Sequence, residues 1–82
     1  MYKNRAPDGR HNLCGGLVAA LRKSKRPRLS QRALADLLQL NGLDVDKNAV
    51  QRIESGQRFV TDIELSALAQ ALEVDVEELL QA

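Results

Sequence analysis

The sequence predicts an all-α fold: a compact bundle of five short helices. Three observations carry the prediction. Apolar residues recur at helical spacing along the chain, and no segment reads as a convincing strand. Helix-opening residues (Ser30, Asp46, Thr61, Asp75) and helix-closing ones (Asn41-Gly42, Gly56) punctuate the chain at short intervals. The third is material: with 82 residues, one cysteine and only Tyr2 and Phe59 as aromatics, the chain has one small core built from Leu, Ile, Val and Ala.

The first helix is expected from Asn12 to Ser24. Leu13, Leu17 and Leu21 form its stripe, with Val18 and Ala20 alongside. Gly15-Gly16 weakens its start and should let that end fray, and Pro27 forbids continuation. The second begins after Ser30 as N-cap, buries Ala33, Leu34, Leu37 and Leu38, and stops near Leu40 before Asn41-Gly42. The third follows Asp46, turns Ala49, Val50 and Ile53 inward, and ends at Gly56. The fourth opens with a capping box, Thr61-Asp62-Ile63-Glu64. Its expected stripe is Ile63, Leu65, Leu68, Ala69 and Leu72. The fifth runs from Asp75 to about Gln81 with a second box, Asp75 with Glu78, and carries Val76, Leu79 and Leu80. There are no internal repeats. Residues 1–11 read as a flexible basic segment and 12–82 as the folded domain.

Composition excludes several functions. One histidine (His11) and one cysteine (Cys14) cannot complete a four-ligand zinc site, so no metal and no cofactor are expected. Cys14 sits beside the first apolar stripe and reads as a small buried hydrophobe, not a nucleophile. Gly15-Gly16 lacks the lysine and the strand of a phosphate-cradling loop. The acids Glu73, Asp75, Glu77 and Glu78 read as helix capping and solvated surface. No enzyme activity and no small-molecule ligand are indicated. No apolar run approaches the length that spans a bilayer, residues 1–12 lack a signal sequence, and a lone cysteine suits a reducing cytoplasm. The scarcity of aromatics argues against single-stranded or RNA partners that stack bases.

Charge is divided along the chain despite a net of +1. Residues 1–32 hold nine Lys and Arg against one acid, Asp8, whereas residues 62–82 hold six acids and no Lys or Arg. The basic end suggests a polyanion partner.

The stretch "DKNAVQRIESGQR" (46–58) gives that partner a form. Two consecutive short helices, 31–40 and 47–55, carry Ala35, Leu38, Val50 and Ile53 where they would face each other. The second presents Lys47, Asn48, Gln51 and Arg52 outward. This is the arrangement of a helix-turn-helix, whose second helix enters the major groove of double-stranded DNA. Lys and Arg suit the acceptors of guanine, and Asn and Gln suit the donor–acceptor pair of adenine.

Together with "LSQRALADLL" (29–38) and "TDIELSALAQALEVDVEELL" (61–80), this stretch resembles the lambda-repressor-like, XRE-type helix-turn-helix family over about residues 17–80. The resemblance implies base-edge contacts from Gln31, Lys47, Asn48, Gln51 and Arg52. It implies phosphate contacts from Ser30, Arg32, Ser55, Gln57 and Arg58, with Arg28 as a further candidate. It also implies an internal salt bridge between Arg22 and Glu54, which would explain an acid placed next to DNA. Two departures stand out. The loop at Lys25-Arg26-Pro27-Arg28 is two residues longer than usual, and the connection "QLNGLDV" (39–45) is about five longer, as in some branches of the family. The implied function is sequence-specific double-stranded DNA binding by a cytoplasmic transcriptional regulator, a repressor of bacterial or phage origin. It would act as a homodimer on paired half-sites, with Val76, Leu79 and Leu80 as the expected contact if exposed. The competing expectation is an antitoxin or protein-bridging adaptor on the same fold, disfavoured by the lack of sequence after Ala82.

Overall fold

The computed structural model describes residues 12–80. The basic segment expected over 1–11, with Lys3, Arg5, Arg10 and His11, lies outside them, as does Gln81. Five helices and no strand occur among the described residues: α1 Gly15–Ser24, α2 Gln31–Leu40, α3 Lys47–Glu54, α4 Asp62–Leu72 and α5 Val76–Leu79. This is the all-α architecture expected from the sequence.

Helices this short are marginal alone, so their ends need partners for backbone groups that lack an intrahelical one. Ser30 Oγ accepts the Ala33 N–H at 3.0 Å, and Asp46 Oδ1 accepts that of Ala49 at 2.8 Å. Thr61 and Glu64 form the reciprocal box: Thr61 Oγ1 accepts from Glu64 N at 3.2 Å, and Glu64 Oε1 accepts from Thr61 N at 3.1 Å. The second expected box is absent. Asp75 makes no side-chain cap bond; its backbone carbonyl takes the Glu78 N–H at 3.0 Å, closing the single turn of α5.

Three helices end in the same paired closure, in which a residue at or just after the cap turns left-handed and two N–H groups fold back. Gly42 does this after α2 at φ 89°, with Leu43 N–H on Leu38 O at 3.0 Å. Gly56 does it after α3 at φ 80°, with Gln57 N–H on Arg52 O at 2.9 Å. At α4 the left-handed residue is Glu73 (φ 62°), an unfavourable conformation for a side-chain-bearing residue. Lys25 supports it: Nζ donates to Leu72 O at 2.8 Å and pairs with the Glu73 carboxylate at 3.4 Å.

The core gathers Val18, Leu34, Leu38, Val50, Ile53, Val60, Leu65, Leu68, Leu72 and Leu79. Ala35, Leu38, Val50 and Ile53 are all buried where α2 packs on α3. Two expectations about the apolar stripes need correction. The first helix begins at Gly15, not Asn12, and its buried line is Cys14, Val18 and Arg22; Leu13, Leu17 and Leu21 are half-buried beside it. Gly15 at that start has a packing role. A Cβ there would lie 2.2 Å from Ile53 O, so the missing side chain lets α1 meet the end of α3. In α4, Ile63 is 71% exposed and Ala67 is buried instead. On α5, Leu79 is fully buried, whereas Val76 and Leu80 are only partly buried against the core. Cys14 is a core residue, and burial pushes its thiol up to about 11, which keeps it protonated at neutral pH.

Truncating Leu68 to Ala should cost about 2–5 kcal/mol in urea denaturation. Ile63→Ser, although also on α4, should shift stability by no more than about 0.5 kcal/mol. Equal losses at the two positions would contradict the placement of Ile63.

Candidate nucleic-acid interface

α3 has two chemically opposite faces. Ala49, Val50 and Ile53 are buried, whereas Lys47, Asn48, Gln51 and Arg52 are exposed. Positions 47, 48, 51 and 52 share one side because 47 and 51, and 48 and 52, are each four residues apart on a rod of 3.6 residues per turn. None of these four side chains makes a hydrogen bond or ion pair within the described residues. Their donors and acceptors point to solvent on the shortest of the four helices longer than a single turn, which is fixed at one end by Asp46 and at the other by Gly56.

Beside Lys47 lies an open concavity of about 510 Å³, lined by Arg22, Arg28, Ser30, Gln31, Arg32 and Lys47. It surrounds the N-terminus of α2, whose unpaired N–H groups and dipole favour an anion. Arg28 and Arg32 are exposed and have no partner within the described residues. Ser30 Oγ is occupied as an acceptor by the cap, which leaves its hydroxyl proton available. A neighbouring hollow of about 340 Å³ shares Arg32 and Lys47 but also holds Asp36, Gln39 and Asp46, so its charge is mixed.

Arg22 does not offer its charge to the concavity. Its Nε and Nη2 donate to the two carboxylate oxygens of Glu54 at 2.6 and 3.0 Å, and Nη1 donates to Leu29 O at 3.0 Å. Both side chains of this fork-to-fork pair are only 8% exposed. Gln31 is drawn into the same cluster: Nε2 donates to Glu54 Oε1 at 3.0 Å. Its amide therefore has one N–H and its carbonyl oxygen left.

The loop after α3 divides in the same way. Ser55 Oγ donates to Arg52 O at 3.2 Å and stays exposed, and Gln57 is exposed. Arg58 is half-buried and engaged, with Nη2 donating to Glu64 Oε2 at 2.7 Å. Glu64 thus caps α4 with one oxygen and holds Arg58 with the other. Among the residues expected to meet DNA, then, Lys47, Asn48, Gln51, Arg52, Arg32 and Gln57 are unpartnered within the described residues, while Gln31 and Arg58 are held internally.

Sequence reasoning missed Asn12, read only as a helix opening. It is buried, and its amide is fully used: Nδ2 donates to Ile53 O at 3.1 Å and to Arg58 O at 2.7 Å, while Oδ1 accepts the Gly15 N–H at 2.8 Å. The available signal was an Asn three residues ahead of a glycine at a helix start, where Asn side chains take up free N–H groups. No three His, Cys, Asp or Glu side chains among the described residues are grouped to hold a metal, and no helix there is long and apolar enough to cross a membrane.

Residues 14–82 match a family model described as a helix-turn-helix domain. No curated protein and no solved structure matches the chain at a significant level.

The Arg22–Glu54 pair gives an asymmetric expectation. Glu54→Gln leaves a buried guanidinium without its counter-charge and should cost about 3–5 kcal/mol in urea denaturation. Replacing both at once, Arg22→Met with Glu54→Leu, should cost clearly less, because no charge is stranded.

Proposed function

Because this chain belongs to a helix-turn-helix domain family of the XRE, lambda-repressor-like group, we propose that it binds double-stranded DNA sequence-specifically as a transcriptional repressor of bacterial or phage origin. DNA binding itself is what the family assignment supports. The finer reading rests on one observation: Lys47, Asn48, Gln51 and Arg52 stand unpartnered on the exposed face of α3, beside a concavity carrying Arg28, Arg32 and Lys47.

In this reading α3 enters the major groove. Lys47 and Arg52 meet guanine acceptors and Asn48 meets adenine, with Gln51 on the same face. A phosphate settles at the N-terminus of α2 against Arg28, Ser30 and Arg32, and the free N–H of Gln31 adds a neutral donor. Ser55 and Gln57 hold a second stretch of backbone. Arg58, committed to Glu64, shapes the loop that carries them. Phosphate contacts set register and base contacts supply preference. A single domain reads too few base pairs to select a site in a genome, so the protein acts in the cytoplasm as a homodimer on paired half-sites.

Selection from a random duplex pool should return a short, two-fold-related motif. Asn48→Ala should relax preference at one or two base positions, each contact being worth about 1–3 kcal/mol of discrimination; an unchanged motif and affinity would sink the assignment of α3. Arg32→Ala should weaken binding to every duplex alike and reduce the log–log salt slope by about 1, measured by titration at several salt concentrations.

A further inference from the structure

We propose that Asn12 is a positioning residue for the DNA-reading surface: its amide clamps the C-terminal end of α3 and the following loop to the start of α1, and so fixes the tilt at which α3 is presented. The inference rests on the DNA-binding reading and adds a residue that never touches DNA.

The geometry is specific. One side-chain amide reaches two carbonyls that follow α3's outward face in sequence. Ile53 O lies in the last turn of the helix, and Arg58 O lies in the loop between Gln57 and Phe59. The same amide's oxygen holds the Gly15 N–H, so α1, α3 and the loop meet at one side chain. Gly15 completes the contact, since its Cα comes close enough to Ile53 O that a Cβ would sit 2.2 Å away, and 3.0 Å from Glu54 O. The clamp therefore consists of one polar fork and one glycine that removes bulk. Ser55, Gln57 and Arg52 lie on the clamped segment, and moving it displaces every one of them together.

A residue that merely supports the fold would, when changed, lower the folded fraction and weaken binding to all DNA in proportion. A positioning residue loses discrimination while the chain stays folded. Asn12→Asp keeps the shape and the acceptor for Gly15 but removes both donors. Asn12→Ser is the milder variant, with one hydroxyl donor, and Gly15→Ala attacks the same contact without altering a polar group. Each variant is titrated at low temperature, with native helicity verified by circular dichroism, against the selected duplex and a random one. The ratio of the two Kd values should fall about tenfold or more, the scale of one lost base contact, with the selected duplex losing more affinity than the random one, whose Kd reports only the shifted phosphate contacts of Ser55 and Gln57. An unchanged ratio in the folded variants overturns the proposal. Amide chemical shifts of the DNA-free variants provide a separate reading. Changes concentrated over residues 47–58 support the clamp, and changes confined to residues 12–18 overturn it. A wild-type protein that shows no preference among duplexes would instead overturn the DNA-binding reading, with the clamp still judged by those shifts.

Discussion

Glu54 is the point on which the architecture turns. Its carboxylate receives two N–H groups from Arg22 on α1 and one from Gln31 on α2, while its own backbone closes α3. A buried carboxylate is costly unless its lone pairs are filled, and this one is satisfied from two other helices. The same arrangement settles an electrostatic conflict. A free acid at the end of α3 would repel a phosphate backbone, and a free Arg22 would place an uncompensated charge in the core. Paired, the two neutralise each other and leave the surface charge to Arg28, Arg32, Lys47 and Arg52.

Around that pair, the molecule separates polar groups that hold structure from polar groups that remain available. Arg58 and Gln31 are held by acids, and Asn12 by carbonyls. Lys47, Asn48, Gln51 and Arg52 have no such partner within the described residues. The distinction is not one of residue type, since arginine, glutamine and asparagine occur in both groups. It follows from whether a complementary atom comes within reach when the helices pack, which makes availability a tertiary property.

That explains what could be read from the sequence. Local devices were legible because their partners lie within five residues: the caps at Ser30, Asp46 and Thr61 with Glu64, the left-handed closures at Gly42 and Gly56, and the inward and outward faces of α3. The Asn12 contacts, which join residues 41 and 46 positions apart, were not, nor were those of Arg58 with Glu64 or Gln31 with Glu54 as acceptor. The phase of α1 was misjudged for another reason. "LCGGLVAAL" is apolar or small on every side, so periodicity selects no single stripe, and the choice falls to Gly15, which admits only one close approach. Ile63 was placed inside because it is apolar at the right spacing, but it lies in the first turn of α4, beyond the edge of the core.

The unequal anchoring of α3 has a dynamic consequence. Its C-terminal turn is tied by Glu54, Asn12 and the closure at Gly56, whereas its N-terminal turn is held by Asp46 alone, which accepts the Ala49 N–H on Oδ1 and the Val50 N–H on its carbonyl. Lys47 and Asn48 stand at that less heavily tied end of the eight-residue helix. Any ordering of that turn on contact with a ligand would carry an entropic penalty that a well-matched surface recovers and a poorly matched one does not.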